Sequence, residues 1–269
     1  RTGGGVTPGS EGAMIGKEAG DLKLPQGILR FSPEISPPPV VLVAGGRAPE
    51  IPWLQDLVRL GVRAVWGVDR GARWCRRAGI CPDRFVGDGD SLEEEDRRWL
   101  HDRRVPQHLH PVAKDFTDLQ LALFEAADEY PGVPIVLTGT GGGRFDHAFS
   151  ALFSALWAHR RGGRVVALGD SKELLIPLRG PTEVALAFAP PPDVVSSLAL
   201  SSECSGVTLK GTEWPLEGVT LYLEEPYAVS NRLTMGVNDR TFEVIQGWLG
   251  VYAAWDIDLW APSIDDRRG

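Results

Sequence analysis

The chain has 269 residues, 43% hydrophobic and 24% charged, and a formal net charge of −8. An acidic chain with no long basic run is a poor partner for duplex nucleic acid, whose phosphates are neutralised by Lys and Arg. No apolar stretch approaches the ~20 residues needed to span a bilayer, and the first residues lack the apolar core of a signal peptide. Cys75, Cys81 and Cys204 have no metal-type spacing and read as reduced thiols of a cytoplasmic protein.

Residues 1–37 are rich in Gly, Pro and Ser without a sustained period, which predicts a disordered tail. Order is expected from Val40-Val41-Leu42-Val43, a continuous apolar run of the kind buried in a parallel sheet. The chain then alternates. Helices are predicted over residues 53–60, 72–78, 93–100, 117–130 and 146–160. Strands are predicted over 62–68, 84–86, 107–110, 134–138 and 164–168. Strands alternating with helices imply βαβ units and a parallel sheet covered on both faces. After Asp170 the pattern changes to short alternating segments with Gly, Pro and Asp turns: 173–178, 183–188, 194–200, 206–210, 219–224, 241–245 and 248–253. The expectation is an α/β protein. A parallel-sheet, Rossmann-like nucleotide-binding domain (residues 38–170) is followed by a small all-β sandwich domain (residues 171–257) and a frayed terminus (residues 258–269).

In an open parallel sheet, ligands bind beyond the carboxyl ends of the strands. Five polar clusters fall at such ends: Gly45-Gly46-Arg47, Asp69-Arg70-Gly71, Gly87-Asp88-Gly89-Asp90-Ser91, Lys114-Asp115-Phe116-Thr117-Asp118, and the run from Gly139 through Gly141-Gly142-Gly143-Arg144 to Asp146-His147. Carboxylates concentrated on one edge repel unless a cation sits among them, and a hard divalent cation takes oxygen ligands while leaving positions for phosphates. Thr117, followed three residues later by Gln120, has the pattern of a helix capping box, and Asp118 in the first turn favours the helix dipole. Gly141-Gly142-Gly143 before a helix can bring backbone N–H groups to a phosphate. Arg144 can fork a phosphate or pair with Asp146. No Walker pattern and no kinase catalytic loop is present.

The order Asp69-Arg70-Gly71-Ala72, Pro82-Asp83 through Gly87-Asp88-Gly89-Asp90-Ser91, Lys114-Asp115-Phe116-Thr117-Asp118 and Arg144-Phe145-Asp146-His147 resembles that of the thiamine pyrophosphokinases. Gly206-Val207-Thr208, Lys210-Gly211, Trp214-Pro215-Leu216 and Val229-Ser230-Asn231 resemble the signatures of that family's β domain. The resemblance runs from about Val40 to Ala254. It implies transfer of the pyrophosphoryl group of ATP to the hydroxyl of thiamine, giving thiamine diphosphate and AMP. It also implies a homodimer with active sites at the interface. Asp88, Asp90 and Asp118 would hold Mg²⁺. Asp69, Gly71, Asp115, Thr117, Arg144, Asp146 and His147 would line the ATP site, with Arg144 also serving catalysis. Trp214, Ser230 and Asn231 would form the thiamine side. The chain departs from the family at Gly89, where a bulkier apolar residue is usual, at Arg70 in place of Gly, and at Arg73 in place of Asn.

Three other readings stand beside this one. A pyrophosphokinase acting on a hydroxymethyl pterin would lack a use for Trp214 and Ser230-Asn231. A catalytically silent thiamine- or nucleotide-binding protein would be expected to have lost a metal ligand. A phosphohydrolase would want an Asp directly after the first strand, where Gly45-Gly46 stands.

Overall fold

A computed structural model describes residues 20–36, 38–110, 115–142 and 144–257. The elements run in the order β1 (Asp21–Leu24), β2 (Gly27–Ser32), β3 (Val40–Val43), α1 (Ile51–Arg59), β4 (Ala64–Val68), α2 (Gly71–Arg77), β5 (Arg84–Gly87), α3 (Glu94–Asp102), β6 (Gln107–Leu109), α4 (Asp118–Glu129), β7 (Pro134–Thr138), α5 (Phe145–Ala158), β8 (Arg164–Gly169) and β9 (Glu173–Arg179). The rest are strands: β10 (Thr182–Phe188), β11 (Val194–Ala199), β12 (Glu203–Leu209), β13 (Leu216–Tyr222), β14 (Thr241–Val244) and β15 (Trp248–Ala254).

Two sheets result. The larger has nine strands in the order β11-β15-β9-β8-β7-β3-β4-β5-β6. From β8 to β6 its neighbours are parallel; β8, β9, β15 and β11 pair antiparallel. Its parallel strands are buried on both faces, so they read as unbroken apolar runs. Val41, Val43 and Val65 point to one core with Leu54 and Leu57 of α1. Val40, Leu42, Trp66 and Val68 point to the other, against Leu123 and Ala126 of α4 and Ala155 of α5. The second sheet is antiparallel, in the order β1-β2-β10-β14-β12-β13. Leu22, Leu29, Phe31, Val184 and Phe242 of this sheet share the first core with Val251 of β15.

Two expectations are corrected here. Residues 21–32, read as part of a disordered tail, form the β1–β2 hairpin, and β2 pairs with β10 along Gly27–Ser32. Leu22, Leu24, Leu29 and Phe31 alternate with Asp21, Lys23 and Arg30, a period-2 pattern too short to stand out from its Gly- and Pro-rich surroundings. The remainder of the expected tail, residues 1–19, and the expected frayed terminus, residues 258–269, lie outside the described residues. The division at residue 170 falls inside a sheet. β9, β15 and β11 extend the parallel sheet, while β10, β12, β13 and β14 join the N-terminal hairpin. Segments consecutive in sequence thus alternate between sheets, which strand periodicity alone does not specify.

Candidate active site

The carboxyl ends of β3, β4, β5 and β7, with the start of α4, form one edge of the large sheet. β4 ends at Val68, and the next residue, Asp69, has a left-handed backbone (φ 52°). A non-glycine residue there costs on the order of 1–3 kcal/mol and persists only where the surroundings hold it. The Asp69 N–H donates to the Val86 carbonyl at 3.0 Å, and the Ser91 hydroxyl donates to Asp69 Oδ1 at 3.1 Å, joining the loops after β4 and β5. Helix α2 starts at Gly71, where a Cβ would come within 1.7 Å of the Val43 carbonyl oxygen, so only glycine lets the helix dock so near β3.

β5 delivers Asp88. The Asp90 N–H donates to Asp88 Oδ1 at 2.9 Å, a side-chain-closed turn of the kind Asp favours. Asp118 opens α4. Thr117 caps that helix: its hydroxyl accepts from the Gln120 N–H at 3.2 Å and its own N–H donates to Gln120 Oε1 at 2.9 Å, the predicted capping box. The cap fixes the first turn and leaves the Asp118 side chain buried at the helix N-terminus.

These three loops bring carboxylate oxygens of Asp69, Asp88 and Asp118 within 4.8 Å of one another. Like charges so close repel by about 1 kcal/mol per pair even at the dielectric of water. A small hard cation reverses the sign of that term, and an all-oxygen donor set is what Mg²⁺ accepts. Among the described residues the converging carboxylates are those of Asp69, Asp88 and Asp118; Asp90, expected to join Asp88 and Asp118, stands outside this group. Asp90 is exposed and serves the turn through its backbone.

The departures at Gly89 and Arg73 have local causes. Gly89 is left-handed (φ 79°), a conformation that a bulkier residue would occupy only under strain. Arg73 bonds Glu93 at 2.7 Å and the buried Asp96 at 3.2 Å, and Arg76 reaches the same Asp96 at 2.8 Å, so Arg73 ties α2 to α3. Arg70 is exposed, and nothing in the structure explains its replacing Gly.

Beside the carboxylates, the loops after β3 and β7 meet at the point where the strand order reverses, the usual place for a nucleotide. Gly46 N–H donates to the Gly139 carbonyl at 2.7 Å and Arg47 N–H to that of Gly141 at 2.8 Å. Gly139 is left-handed (φ 69°), and a Cβ on it would lie 2.2 Å from the Ala44 carbonyl oxygen. The crevice wall is thus bare backbone. Arg144 and Asp146 are exposed and pair with each other at 2.5 Å. The hydrogen bond from Arg144 holds the Asp146 carboxyl below its ordinary range, and the same bond raises Arg144. His147 and Asp115 are exposed; Lys114 and Gly143 lie outside the described residues.

One network escaped the sequence reading. Arg47 donates to Asp170 Oδ2 from Nε at 3.0 Å and from Nη2 at 2.8 Å, and Nη2 reaches Glu173 Oε1 at 2.7 Å. The Tyr252 hydroxyl donates to Glu173 Oε2 at 2.9 Å. Burial pulls the Arg47 pKa down, but the hydrogen bonds and charges of Asp170 and Glu173 outweigh it and leave it raised. Burial, reinforced by Glu173, drives the Tyr252 hydroxyl well above the usual tyrosine range. Gln26, in the turn of the β1–β2 hairpin, donates to the Asp170 carbonyl at 3.1 Å and accepts from the Trp53 indole at 2.7 Å. The only sequence signal was Arg47 directly after Gly45-Gly46. Its partners lie 123 and 126 residues away.

The expected thiamine-side residues gather elsewhere on the same edge. Asn231 is buried. Its Oδ1 accepts from the Trp214 N–H at 3.1 Å and its Nδ2 donates to the Trp214 carbonyl at 2.7 Å, presenting an indole that is 59% exposed. Ser230 is left-handed (φ 59°), with its N–H donating to Ser196 Oγ at 3.0 Å. Asn231 bridges to Val195 of β11, the edge strand farthest from β6. Six strand spacings, about 30 Å measured along the sheet, separate β11, which Asn231 bridges, from β4, which precedes Asp69.

Residues 61–167 match the family model for the thiamin pyrophosphokinase catalytic domain. The chain is 31% identical over 193 residues to thiamine pyrophosphokinase of Bacillus subtilis (strain 168), spanning 71% of this chain and 88% of that one. Its fold is similar to the crystal structure of the Bacillus subtilis enzyme, with a TM-score of 0.69 at 26% identity over 81% of this chain and 100% of the other. The thiamin pyrophosphokinase structure from Geobacillus thermodenitrificans gives a TM-score of 0.66 at 28% identity, over 81% and 97% of the two chains. With 88% of a curated relative spanned at 31% identity and the catalytic-domain match covering β4 through β8, the chain belongs to the thiamine pyrophosphokinase family.

Proposed function

We propose that this chain transfers the pyrophosphoryl group of ATP to the hydroxyl of thiamine, releasing AMP and thiamine diphosphate. The observation that carries the reading is the convergence of Asp69, Asp88 and Asp118 beside the glycine-walled crevice between β3 and β7, in a chain of this family. The thiamine hydroxyl oxygen forms a bond to the β-phosphorus and gives up its proton to solvent, the bond from that phosphorus to the α–β bridging oxygen breaks, and AMP leaves with the bridging oxygen. Such a transfer depends on positioning and charge neutralisation more than on covalent catalysis by the protein.

Asp69, Asp88 and Asp118 fit Mg²⁺ as its protein ligands. When bound there, Mg²⁺ neutralises phosphate oxygens and screens the three carboxylates from one another. The bare backbone at Gly46, Gly139 and Gly141 lets a phosphate chain approach closely. Arg144 exchanges its exposed partner Asp146 for phosphate oxygens, and Thr117 holds the α4 N-terminus toward the same charge. Gly71, Asp115 and His147 border this site on its loops. In this reading residues 38–170 are the Rossmann-like nucleotide layer, and the antiparallel sheet stacked on it is the sandwich that carries Trp214.

The thiazolium of thiamine is cationic and suits the exposed Trp214 indole, with Ser230 and Asn231 beside it. A separation of about 30 Å is too great for one thiamine to touch both Ser230 and the carboxylates of one chain. A second copy brings its Trp214 edge to the carboxylates of the first, which makes the active unit a homodimer. Cys75, Cys81 and Cys204 are free thiols, in keeping with a cytoplasmic enzyme.

The decisive assay is AMP formation by the purified chain from Mg-ATP, with and without thiamine. Thiamine-dependent AMP with thiamine diphosphate as co-product is the expected result. AMP formed only with a hydroxymethyl pterin, or tight binding without AMP, would overturn it.

A further inference from the structure

A cavity of about 810 Å³ opens at the opposite edge of the large sheet from the three carboxylates. Helix α5 starts at the active edge and runs away from it, ending in a 3₁₀ turn at His159–Arg161. Strand β9 ends there at Arg179 and β15 begins there at Trp248, the two residues being paired in the sheet. The volume is that of a small-molecule site.

Its lining has two kinds of surface. Trp157, Trp248 and Phe153 supply flat aromatic walls, and His159, Arg160 and Arg179 supply the polar groups. No carboxylate lines it among the described residues. Arg160 and Arg179 thus face this space as cations, in a chain whose net charge is −8. Arg179 has turned to a poor acceptor: its Nη1 donates to His159 Nε2 at 2.6 Å, so that ring nitrogen carries no proton. Burial, and then the charges of Arg179 and Arg164, hold the His159 pKa below its ordinary value. The His159 ring stands edge-on to Trp248 with centroids 5.2 Å apart, so the acceptor and the aromatic wall are one unit.

We propose that this cavity binds an organic anion that joins a flat ring to a phosphate-like group, the ring lying on Trp248 and Trp157 and the anionic oxygens held by Arg179 and Arg160. Guanidinium matches phosphate in a forked geometry, and aromatic walls add ring contact that a bare inorganic ion would not use. The site is separate from the ATP crevice, because it lies at the amino edge of the parallel strands.

Phenyl phosphate is the probe, added to the full chain in excess EDTA, where the three carboxylates without a divalent cation disfavour anions at the active edge. The readout is the His159 imidazole signal in proton NMR, assigned with His159→Gln. Phenyl phosphate is expected to move that signal saturably and to raise the His159 pKa, since an anion offsets the arginine charges. Inorganic phosphate is expected to bind at least about tenfold more weakly. Arg179→Gln and Trp248→Leu, each folded by circular dichroism, are each expected to weaken binding about tenfold or more and to leave thiamine-dependent AMP formation unchanged. A His159 signal that does not respond saturably, or a response that survives both substitutions, overturns the proposal. So does a signal that follows protein concentration instead of phenyl phosphate, which would assign the cavity to contact between copies.

Discussion

At the scale of single residues, the carboxylate triad draws a sharp distinction between two acids near Asp88, Asp69 in the loop after β4 and Asp90 in the loop after β5. Of the two, Asp69 and not Asp90 belongs to the group of carboxylates within 4.8 Å of one another among the described residues. Asp88→Asn and Asp118→Asn are each expected to lower kcat at least about 100-fold, as loss of a charged group acting on the transition state does. Asp69→Asn is expected to match them, while Asp90→Asn keeps more than about a tenth of the activity, because the turn uses its backbone N–H. Steady-state kinetics at saturating Mg-ATP checks this. A loss as deep in Asp90→Asn as in Asp88→Asn and Asp118→Asn, with Asp69→Asn still active, would restore the set implied by the family motif. Arg47 illustrates the complementary case, a residue adjacent to a recognisable glycine pair whose role depends on acids more than a hundred positions away.

At the scale of elements, two devices place the loops. The α4 cap holds Asp118 in position. Thr117→Ala removes the hydroxyl that accepts from Gln120 N–H and is expected to cost about 1 kcal/mol in urea unfolding. It should also raise the Mg²⁺ concentration needed for half-maximal rate, whereas Thr117→Ser should restore both. The second device is Asp96, buried between α2 and α3. Burial alone would raise its pKa, but hydrogen bonds from Arg76 and Arg73 and from the Glu93 N–H outweigh burial and lower it. A carboxyl lowered in the folded state contributes stability above its unfolded value of about 4, and loses it as pH falls through the folded value. The Asp96 contribution should therefore begin to fall below about pH 4 and be lost once the pH lies below the lowered folded-state value. Asp96→Asn is expected to be less stable at pH 7 by about 2 kcal/mol. It should also lose less on acidification than the parent chain, measured by urea midpoints between pH 7 and pH 3.

At the scale of the molecule, the N-terminal hairpin and the division of the site across the sheet give two more expectations. Leu29 is fully buried between the two sheets, so Leu29→Ala should cost about 2–5 kcal/mol, measured as a lower denaturant midpoint. A freely moving tail would leave stability unchanged. If the active site is built from two copies, Asp88→Asn and Ser230→Ala chains, each impaired alone, should complement when mixed. Half of a statistical mixture is heterodimer and one of its two sites is intact, so about a quarter of the parent activity is expected. Activity that stays at the sum of the separate variants would require both residues to act within one chain.

Periodicity and punctuation were enough to place the helices and strands from Val40 to Ala254 within a few residues. They were also enough to put the polar clusters at strand ends, because apolar runs and turn residues act locally. The capping box at Thr117 and Gln120 was legible for the same reason. What only the tertiary structure decided depends on pairing over long sequence separations. The β1–β2 hairpin is ordered because β10 lies beside it, and β9, β15 and β11 belong to the parallel sheet because β8 offers its edge. Asp69 meets Asp88 and Asp118 because the Asp69 N–H donates to Val86 and the Ser91 hydroxyl donates to Asp69, which ties the loops after β4 and β5 together. Strand order places Ser230 and Asn231 six strands away from the carboxylates, about 30 Å along the sheet, which no local pattern encodes.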